Sequence, residues 1–153
     1  MKGPRNEARA YALKLLSYRS RSRKEMLNRL RGKGFDTARI DDTIHFLESA
    51  RLIDDSALAD DLAKYALEKK HLGKRGIGMY LARRGIDREL ADRALSLLAE
   101  DTEEEAARAI ALKKLRTLQD CQGDVVKRRL LDTLRRRGFS GALIRKLMKE
   151  LLS

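Results

Sequence analysis

Residues 30–36 read LRGKGFD, residues 81–87 read LARRGID and residues 134–140 read LRRRGFS. Each heptapeptide runs from a leucine through basic residues to a glycine, an apolar residue and then Asp or Ser. Glycine readily adopts the left-handed torsions found just beyond a helix C-terminus, and Asp and Ser favour the residue that caps the next helix. Each heptapeptide is therefore predicted to be a turn between two helices.

The sequence around these turns repeats with a period near fifty residues, and apolar residues recur at fixed distances from each glycine. Eight residues before the glycine lie Met26, Ile77 and Leu130, and four residues before it lie Leu30, Leu81 and Leu134. Ten residues after the glycine lie Ile44, Leu95 and Met148, and thirteen residues after it lie Leu47, Leu98 and Leu151. Shared apolar positions at such a period indicate a helical repeat array.

The predicted fold is all-α: an elongated array of three tandem three-helix repeats, each a helix–turn–helix-like unit. The predicted repeats are residues 1–53, 54–101 and 102–153. The first helix is expected from about Arg5 to Tyr18, with Pro4 outside it. Serine at 22 with glutamate at 25, and threonine at 102 with glutamate at 105, have the spacing of a capping box that begins a helix.

The composition predicts a binding protein for an acidic partner. Hydrophobic residues make up 42% of the 153, and the net charge is +12, which favours nucleic acid, an acidic protein surface or an anionic membrane. Apolar runs fall short of the roughly 20 residues that a membrane span needs. The N-terminus mixes acid and base unlike a secretion signal, and the one cysteine cannot form an internal disulfide. We therefore expect a cytoplasmic protein with no membrane association.

The positive charge is uneven along the chain. Residues 1–53 carry 13 basic and 6 acidic side chains, residues 54–101 carry 9 and 10, and residues 102–153 carry 13 and 7. The helix after the turn is rich in acid in the first two repeats, which argues against its insertion into a DNA major groove. The basic residues cluster on the helix before the turn, where they also suit the helix dipole.

These basic clusters are the predicted partner- and DNA-binding residues, with a solvated helix face as the alternative for any one of them. They are Arg21, Arg23, Lys24, Arg31, Lys33, Lys74, Arg75, Arg83, Arg84, Lys127, Arg128, Arg129, Arg135, Arg136 and Arg137.

No catalytic constellation is evident, so we predict no enzyme activity, no metal and no cofactor. His45 and His71 lack metal-ligand spacing; His45 is expected at a core edge and His71 near a helix end. Cys121 has no second cysteine to form a redox or metal motif. The glycines of GKRGIG (residues 73–78) match no phosphate-binding pattern and are explained better by close helix packing. Asp54 and Asp55 are explained as helix-capping groups.

Several segments in this order resemble the RecX family of bacterial recombination regulators over nearly the whole chain: RSRKEML (21–27), KGF (33–35), LIDD (52–55) followed by Ala59, and GKRGIGMYLARRGI (73–86). Leu58, where an aromatic residue is expected, and Tyr80, where an acidic one is usual, depart from the pattern. The resemblance implies a non-enzymatic regulator of homologous recombination and DNA repair. It would bind the RecA–DNA filament and inhibit RecA strand exchange, ATP hydrolysis and coprotease activity.

The implied partners are the RecA filament and single- or double-stranded DNA, which would bind more weakly alone, and the protein is expected to be a monomer. Charge alone supports two alternatives: a general DNA-binding protein acting through its basic helices, and a helical adaptor for another acidic protein. The first predicts tight, strongly salt-dependent binding to naked DNA.

Overall fold

The computed structural model describes residues 4–153, with side chains from residue 6 onward, and this part of the chain holds nine α-helices and no β-strand. The helices are α1 (Pro4–Tyr18), α2 (Arg23–Lys33), α3 (Thr37–Ser49), α4 (Asp55–Glu68), α5 (Lys74–Arg83), α6 (Arg88–Ser96), α7 (Glu100–Thr117), α8 (Gly123–Arg136) and α9 (Gly141–Leu152). The prediction of an all-α fold with repeated three-helix units is confirmed. The first three residues of the predicted repeat 1–53 lie outside the described part.

The three glycine turns have the predicted geometry. Gly34, Gly85 and Gly138 have φ values of 96°, 80° and 83°, which place them in the left-handed region that side chains with a Cβ rarely adopt. Ser22 and Glu25 form the predicted capping box: the Glu25 N–H donates to the serine hydroxyl (3.1 Å), and the Ser22 N–H donates to the glutamate carboxylate (3.0 Å). Local cap chemistry therefore sets these helix ends.

The predicted extent of α1 is confirmed to within one residue, since the helix runs from Pro4 to Tyr18. Pro4 was expected outside it but is its first residue, a position where a helix needs no backbone N–H. One predicted helix start is wrong. Thr102 is no cap: α7 begins at Glu100, and the Thr102 hydroxyl donates back to the Ala99 carbonyl (2.7 Å). A threonine already inside the first turn can bond backward in this way, so capping-box spacing was not sufficient evidence.

The helix before each turn uses the predicted buried positions in all three units. The residues eight and four before each glycine are 0% exposed. The helix after the turn is buried mainly in a different register, six and nine residues beyond the glycine: Ile40, Ala91 and Ile144, and then Thr43, Ala94 and Leu147. The residues ten and thirteen beyond the glycine are buried only in the first unit, as Ile44 and Leu47. Their counterparts in the other units are partly buried: Leu95, Leu98, Met148 and Leu151. Alanine and threonine at the shared positions concealed this register in the sequence.

The buried side chains form two clusters rather than three. One lies within α1–α3 and includes Met26, Leu30 and Leu47. The other extends from α4 to α9 without a break, and both Leu81 and Leu134 belong to it. The accessible surface is 9984 Å², against about 7,900 Å² expected for a compact monomer of this mass. The molecule is thus an extended one, in which a small first unit adjoins a larger body made of the other two.

Adjacent units meet through the same joint twice. The glycine turn of one unit packs on the N-terminus of the second helix of the unit before it. At the first joint, a Cβ on Gly85 would lie 2.7 Å from the Ser22 hydroxyl. At the second, the Gly73 N–H donates to the Arg137 carbonyl (2.8 Å) and the Arg75 N–H donates to the Gly138 carbonyl (3.2 Å).

An acidic side chain completes each joint from the first turn of the following unit's first helix. The Arg23 N–H donates to the Asp55 carboxylate (2.8 Å), and the Lys74 N–H donates to the Glu103 carboxylate (3.1 Å). Arg23 and Lys74 both stand eleven residues before their glycines. A helix N-terminus has backbone N–H groups without helical partners, and a side-chain oxygen from the next unit accepts a hydrogen bond from one of them at each joint.

Candidate polyanion interface

Four of the predicted binding arginines have their guanidinium or backbone groups engaged at the joints, one of them Arg75 through the backbone N–H described above. Arg84, immediately before Gly85, donates through Nε to Glu25 (3.1 Å) and through NH2 to the Ser20 carbonyl (3.0 Å). Arg137, immediately before Gly138, donates to the Lys70 carbonyl. The Arg23 side chain pairs with Glu48 across α2 and α3 (3.0 Å). The basic residue before the turn glycine thus has a structural role in two of the three units.

Glu25 is the electrostatic centre of the first joint. Burial of its carboxylate favours the neutral form, but the Ser22 N–H, Arg84 and Arg19 outweigh that effect and lower the pKa of Glu25 below its ordinary value of 4.5. The Arg84–Glu25 and Arg19–Glu25 pairs each measure 3.1 Å. Because Arg84 and Glu25 are both largely shielded from solvent, this pair is screened less than a surface ion pair.

Arg21 and Lys33 make contacts within the first unit. Arg21 Nε donates to the Leu15 carbonyl (3.5 Å), and its pKa is lowered by burial and by the neighbouring Arg19 and Arg29. Lys33 occupies the position before the turn glycine, and its Nζ lies 5.4 Å from the centre of the Tyr11 ring. Reversing Arg21 or Arg23 would therefore disturb structural contacts as well as surface charge.

Lys74 is half-buried, and ten of the predicted cations, Lys33 included, are exposed and form no ion pair among the described residues. They are Lys24, Arg31, Lys33, Arg75, Arg83, Lys127, Arg128, Arg129, Arg135 and Arg136. Half of these ten lie on α8, so the third unit presents the densest unpaired positive charge.

The structure brings the α8 cations together with two lysines that the sequence analysis missed. Lys113 and Lys114 of α7 line a groove of about 530 Å³ with Arg136 and Arg137. An adjoining groove of about 510 Å³ is lined by Lys114, Arg129, Arg135 and Arg136, together with one carboxylate, Asp132. The missed signal was the pair of adjacent lysines on the helix preceding α8, which packs directly against it. The two grooves form one cationic surface, which we call the α7–α8 surface.

The two histidines and the cysteine considered in the sequence have no ligand-binding arrangement among the described residues. His45 is exposed rather than at a core edge, because α3 turns its neighbours Ile44 and Leu47 inward. His71 follows the end of α4 with a φ of 53°, which confirms its position near a helix end. Among the described residues, no cluster of His, Cys, Asp or Glu could hold a metal ion. Cys121 lies half-buried in the α7–α8 connection.

The glycines and aspartates next to the joints are explained by packing and capping. A Cβ on Gly73 would lie 2.5 Å from the Gly138 carbonyl oxygen, which confirms close helix packing as the reason for that glycine. Asp54 caps α4 by accepting from the Ala57 N–H (3.1 Å). Asp55 instead accepts from Arg23 across the joint, and burial raises its pKa above the ordinary 3.8, with Asp87 and Glu48 adding to the effect.

The two departures from the family pattern are accommodated. Leu58 is buried in the larger cluster, and Tyr80 packs at the edge of that cluster with the Lys70 Nζ 5.1 Å from its ring centre. In the part of the chain that the structure describes, none of the helices has the length and hydropathy required to cross a bilayer.

Tandem three-helix units, each with a glycine turn between its second and third helices, define a helical repeat protein. Family models of RecX match all three units: the first three-helix domain at residues 8–47, the second at 54–95 and the third at 101–148. The chain belongs to the RecX family.

Individual relatives agree with this assignment. The chain is 34% identical over 147 residues to the protein named regulatory protein RecX of Chlorobium limicola, covering 96% of this chain and 91% of that one. It is 32% identical over 150 residues to the regulatory protein RecX of Chlorobaculum tepidum, covering 98% and 91%. The crystal structure of RecX from Lactobacillus salivarius superposes with a TM-score of 0.85 at 26% identity, covering 97% and 96%.

Proposed function

We propose that this protein is a non-enzymatic regulator of homologous recombination and DNA repair that binds the RecA–DNA filament in the cytoplasm. By binding, it would inhibit RecA strand exchange, ATP hydrolysis and coprotease activity. Family membership supports the regulatory role. The single structural observation that carries the proposal is the α7–α8 surface, where Lys113, Lys114, Arg129 and Arg136 converge around a single carboxylate, Asp132. None of these four cations forms an ion pair among the described residues.

A filament is a repeating polyanion, and the protein's charge distribution suits one. Exposed cations without ion pairs lie on the first unit at Arg31 and Lys33 and on the third unit along α7 and α8, while the middle unit is nearly neutral. Two separated cationic ends on one extended chain can contact two places on a polymer at once. The second contact is then intramolecular, so that modest contacts combine into tight binding. A single chain, acting as a monomer, is sufficient for this mode.

The alternative is a general DNA-binding protein, favoured by the same cations. It differs in what it requires: phosphates alone would suffice, and affinity would fall steeply with salt. In the filament proposal, naked single- or double-stranded DNA binds more weakly than RecA-coated DNA at physiological salt. An adaptor for a different acidic protein would bind neither.

The test compares capture of this protein by RecA-coated single-stranded DNA and by bare DNA at physiological salt, together with RecA-driven ATP hydrolysis at micromolar concentrations. We expect preferential capture and slower hydrolysis. Reversing Lys113, Arg129 and Arg136 to glutamate should weaken capture by about tenfold or more, since each charge-assisted contact is worth on the order of 1 kcal/mol.

The matched control is Arg88→Glu on α6, whose side chain is 93% exposed and lies outside the cationic surface. It should leave capture unchanged. Equal capture on bare and RecA-coated DNA would support the general DNA-binding alternative, and unimpaired RecA hydrolysis would refute the proposed inhibition.

A further inference from the structure

The third unit has a second groove, between α8 and α9, which shares Arg135 with the edge of the α7–α8 surface. Its volume is about 570 Å³, and its floor is apolar: Leu131 from α8, and Ile144, Met148 and Leu152 from α9. The titratable side chains at its edges are all cationic: Lys127 and Arg135 from α8, and Arg145 and Lys149 from α9. Leu152 is 38% exposed although it is large and apolar.

The one acidic side chain of α9 is committed elsewhere, as is Glu104 of α7. On the opposite face of α9, Glu150 accepts from Arg108 of α7 (2.7 Å), and Lys146 pairs with Glu104 of α7 (2.9 Å). These pairs fasten α9 to α7 and leave the groove side of α9 with positive charge alone. The groove therefore combines unsatisfied cations with uncovered apolar surface.

The equivalent grooves in the other units are not built this way. Counted from the turn glycine, Arg145 corresponds to Asp41 and Asp92, so the charge is inverted only in the third unit. Leu152 corresponds to Glu48, and in the first unit Glu48 bridges α2 and α3 by pairing with Arg23 (3.0 Å). The third unit has leucine where that bridging carboxylate would stand.

The joints indicate what kind of chain fits this face. In the first two units, the residue eleven before the glycine meets the acidic first turn of a following helix, through Asp55 or Glu103. Lys127 is the corresponding residue in the third unit, but it lies inside α8 rather than at its first residue. Because α8 begins four residues earlier than α2 and α5 do relative to the glycine, the backbone joint cannot form. What remains is an apolar floor with a cationic rim.

We infer that the α8–α9 groove binds an acidic amphipathic helix of a protein partner. Leucine-type side chains at helical spacing would cover the floor formed by Leu131, Met148 and Leu152, and carboxylates along both flanks would meet the rim. Nucleic acid is the poorer fit, since phosphates gain nothing from an apolar floor and the groove has no aromatic side chain on which a base could stack. The inference does not rest on the proposed function.

The test uses the full chain labelled with carbon-13 at its methionine methyl groups. The probe is an end-capped peptide of about 18 residues, long enough to form a helix, with leucines on one face and glutamates elsewhere. Met148 lies in the groove, Met26 is fully buried in the first unit, and Met79 is exposed on α5. We expect the peptide to shift the Met148 methyl resonance and to leave those of Met26 and Met79 in place.

Fluorescence anisotropy with the same peptide gives the affinity of each variant. Arg145→Asp installs the acidic residue used by the other two units, and Leu152→Glu places a carboxylate opposite Lys127. Each should weaken binding by about tenfold, by charge repulsion or by loss of apolar contact. Arg88→Asp on α6 reverses an equally exposed charge outside the groove and should bind as the original chain does.

Three results would overturn the inference. Binding of a scrambled peptide of the same composition as tightly as the amphipathic one would show that net charge alone explains the affinity. A single-stranded oligonucleotide that shifts Met148 with equal affinity would make the groove a phosphate site. An unmoved Met148 resonance at saturating peptide would place the peptide elsewhere.

Discussion

At the scale of single residues, two carboxylates at the first joint have pKa values shifted in opposite directions, so their ionisation has opposite effects on stability. The pKa of Glu25 is lowered although burial opposes this, because Ser22, Arg84 and Arg19 favour its charged form. The pKa of Asp55 is raised, chiefly by burial and then by Asp87 and Glu48, although the Arg23 N–H partly compensates. Ionised Glu25 therefore stabilises the joint, whereas ionised Asp55 weakens the folded state.

The stability of the Glu25 and Asp55 variants should accordingly depend on pH with opposite signs. The contribution of Glu25 is present above its ordinary pKa of 4.5 and is lost as pH falls through its lower folded value. Glu25→Gln should lower the melting temperature at pH 7, by roughly 1 kcal/mol of unfolding free energy for a partly exposed charged hydrogen bond, and converge with the original chain in acid.

Asp55→Asn should leave the melting temperature unchanged or raise it at pH 7, because the asparagine oxygen can still accept the Arg23 N–H without the cost of a half-buried charge. That difference should vanish as pH falls below 3.8, the ordinary value for the carboxyl. Circular dichroism melts from pH 3 to 7 measure both variants. A destabilised Asp55→Asn at neutral pH would contradict the assigned cost.

At the scale of elements, the sequence predicted what local chemistry determines. The turn at Gly34, the capping box at Ser22 and the buried leucines before each glycine depend on neighbours a few residues away, and all are confirmed. The joints were missed because they pair groups distant in sequence: Arg84 with Glu25, and the Arg137 carbonyl with Gly73. A basic residue before the turn suggested a partner site equally well, and only its position in the fold distinguishes the two roles.

Helix α5 contains two glycines with opposite expected responses to substitution. A Cβ on Gly78 would lie 3.7 Å from the nearest atom, in Leu95, an ordinary contact, whereas one on Gly76 would collide with the Arg137 carbonyl oxygen. Gly78→Ala should raise the unfolding free energy by up to about 1 kcal/mol through helix propensity. Gly76→Ala gains the same propensity but must separate α5 from the α8–α9 turn, so its net effect should be destabilising.

Urea denaturation of the two alanine variants makes this comparison, since both substitutions fall in the same helix and differ only in surroundings. Equal stability changes would show that the α5 N-terminus does not pack on the Gly138 turn as the structure has it.

At the scale of the whole molecule, the three sequence repeats do not correspond to three independent cores. The first unit has its own small cluster, and its joint to the second unit is largely polar, through Glu25, Arg84 and Asp55. The second and third units share one cluster. Repetition in the sequence reports shared local structure, whereas the extent of a core depends on apolar contacts between units, which the period does not reveal. The chain should therefore unfold in two steps.

The matched substitutions Leu30→Ala and Leu134→Ala test this two-step unfolding. Both leucines are fully buried and stand four residues before a turn glycine, and either truncation should cost about 2–5 kcal/mol in its own core. In native-state hydrogen exchange, Leu30→Ala should lower the protection of amides in α1–α3 alone, and Leu134→Ala should lower it throughout α4–α9. If either variant lowered protection equally in all nine described helices, the first unit and the larger body would unfold together as one cooperative unit. The first unit could not then move independently when the protein meets its partner.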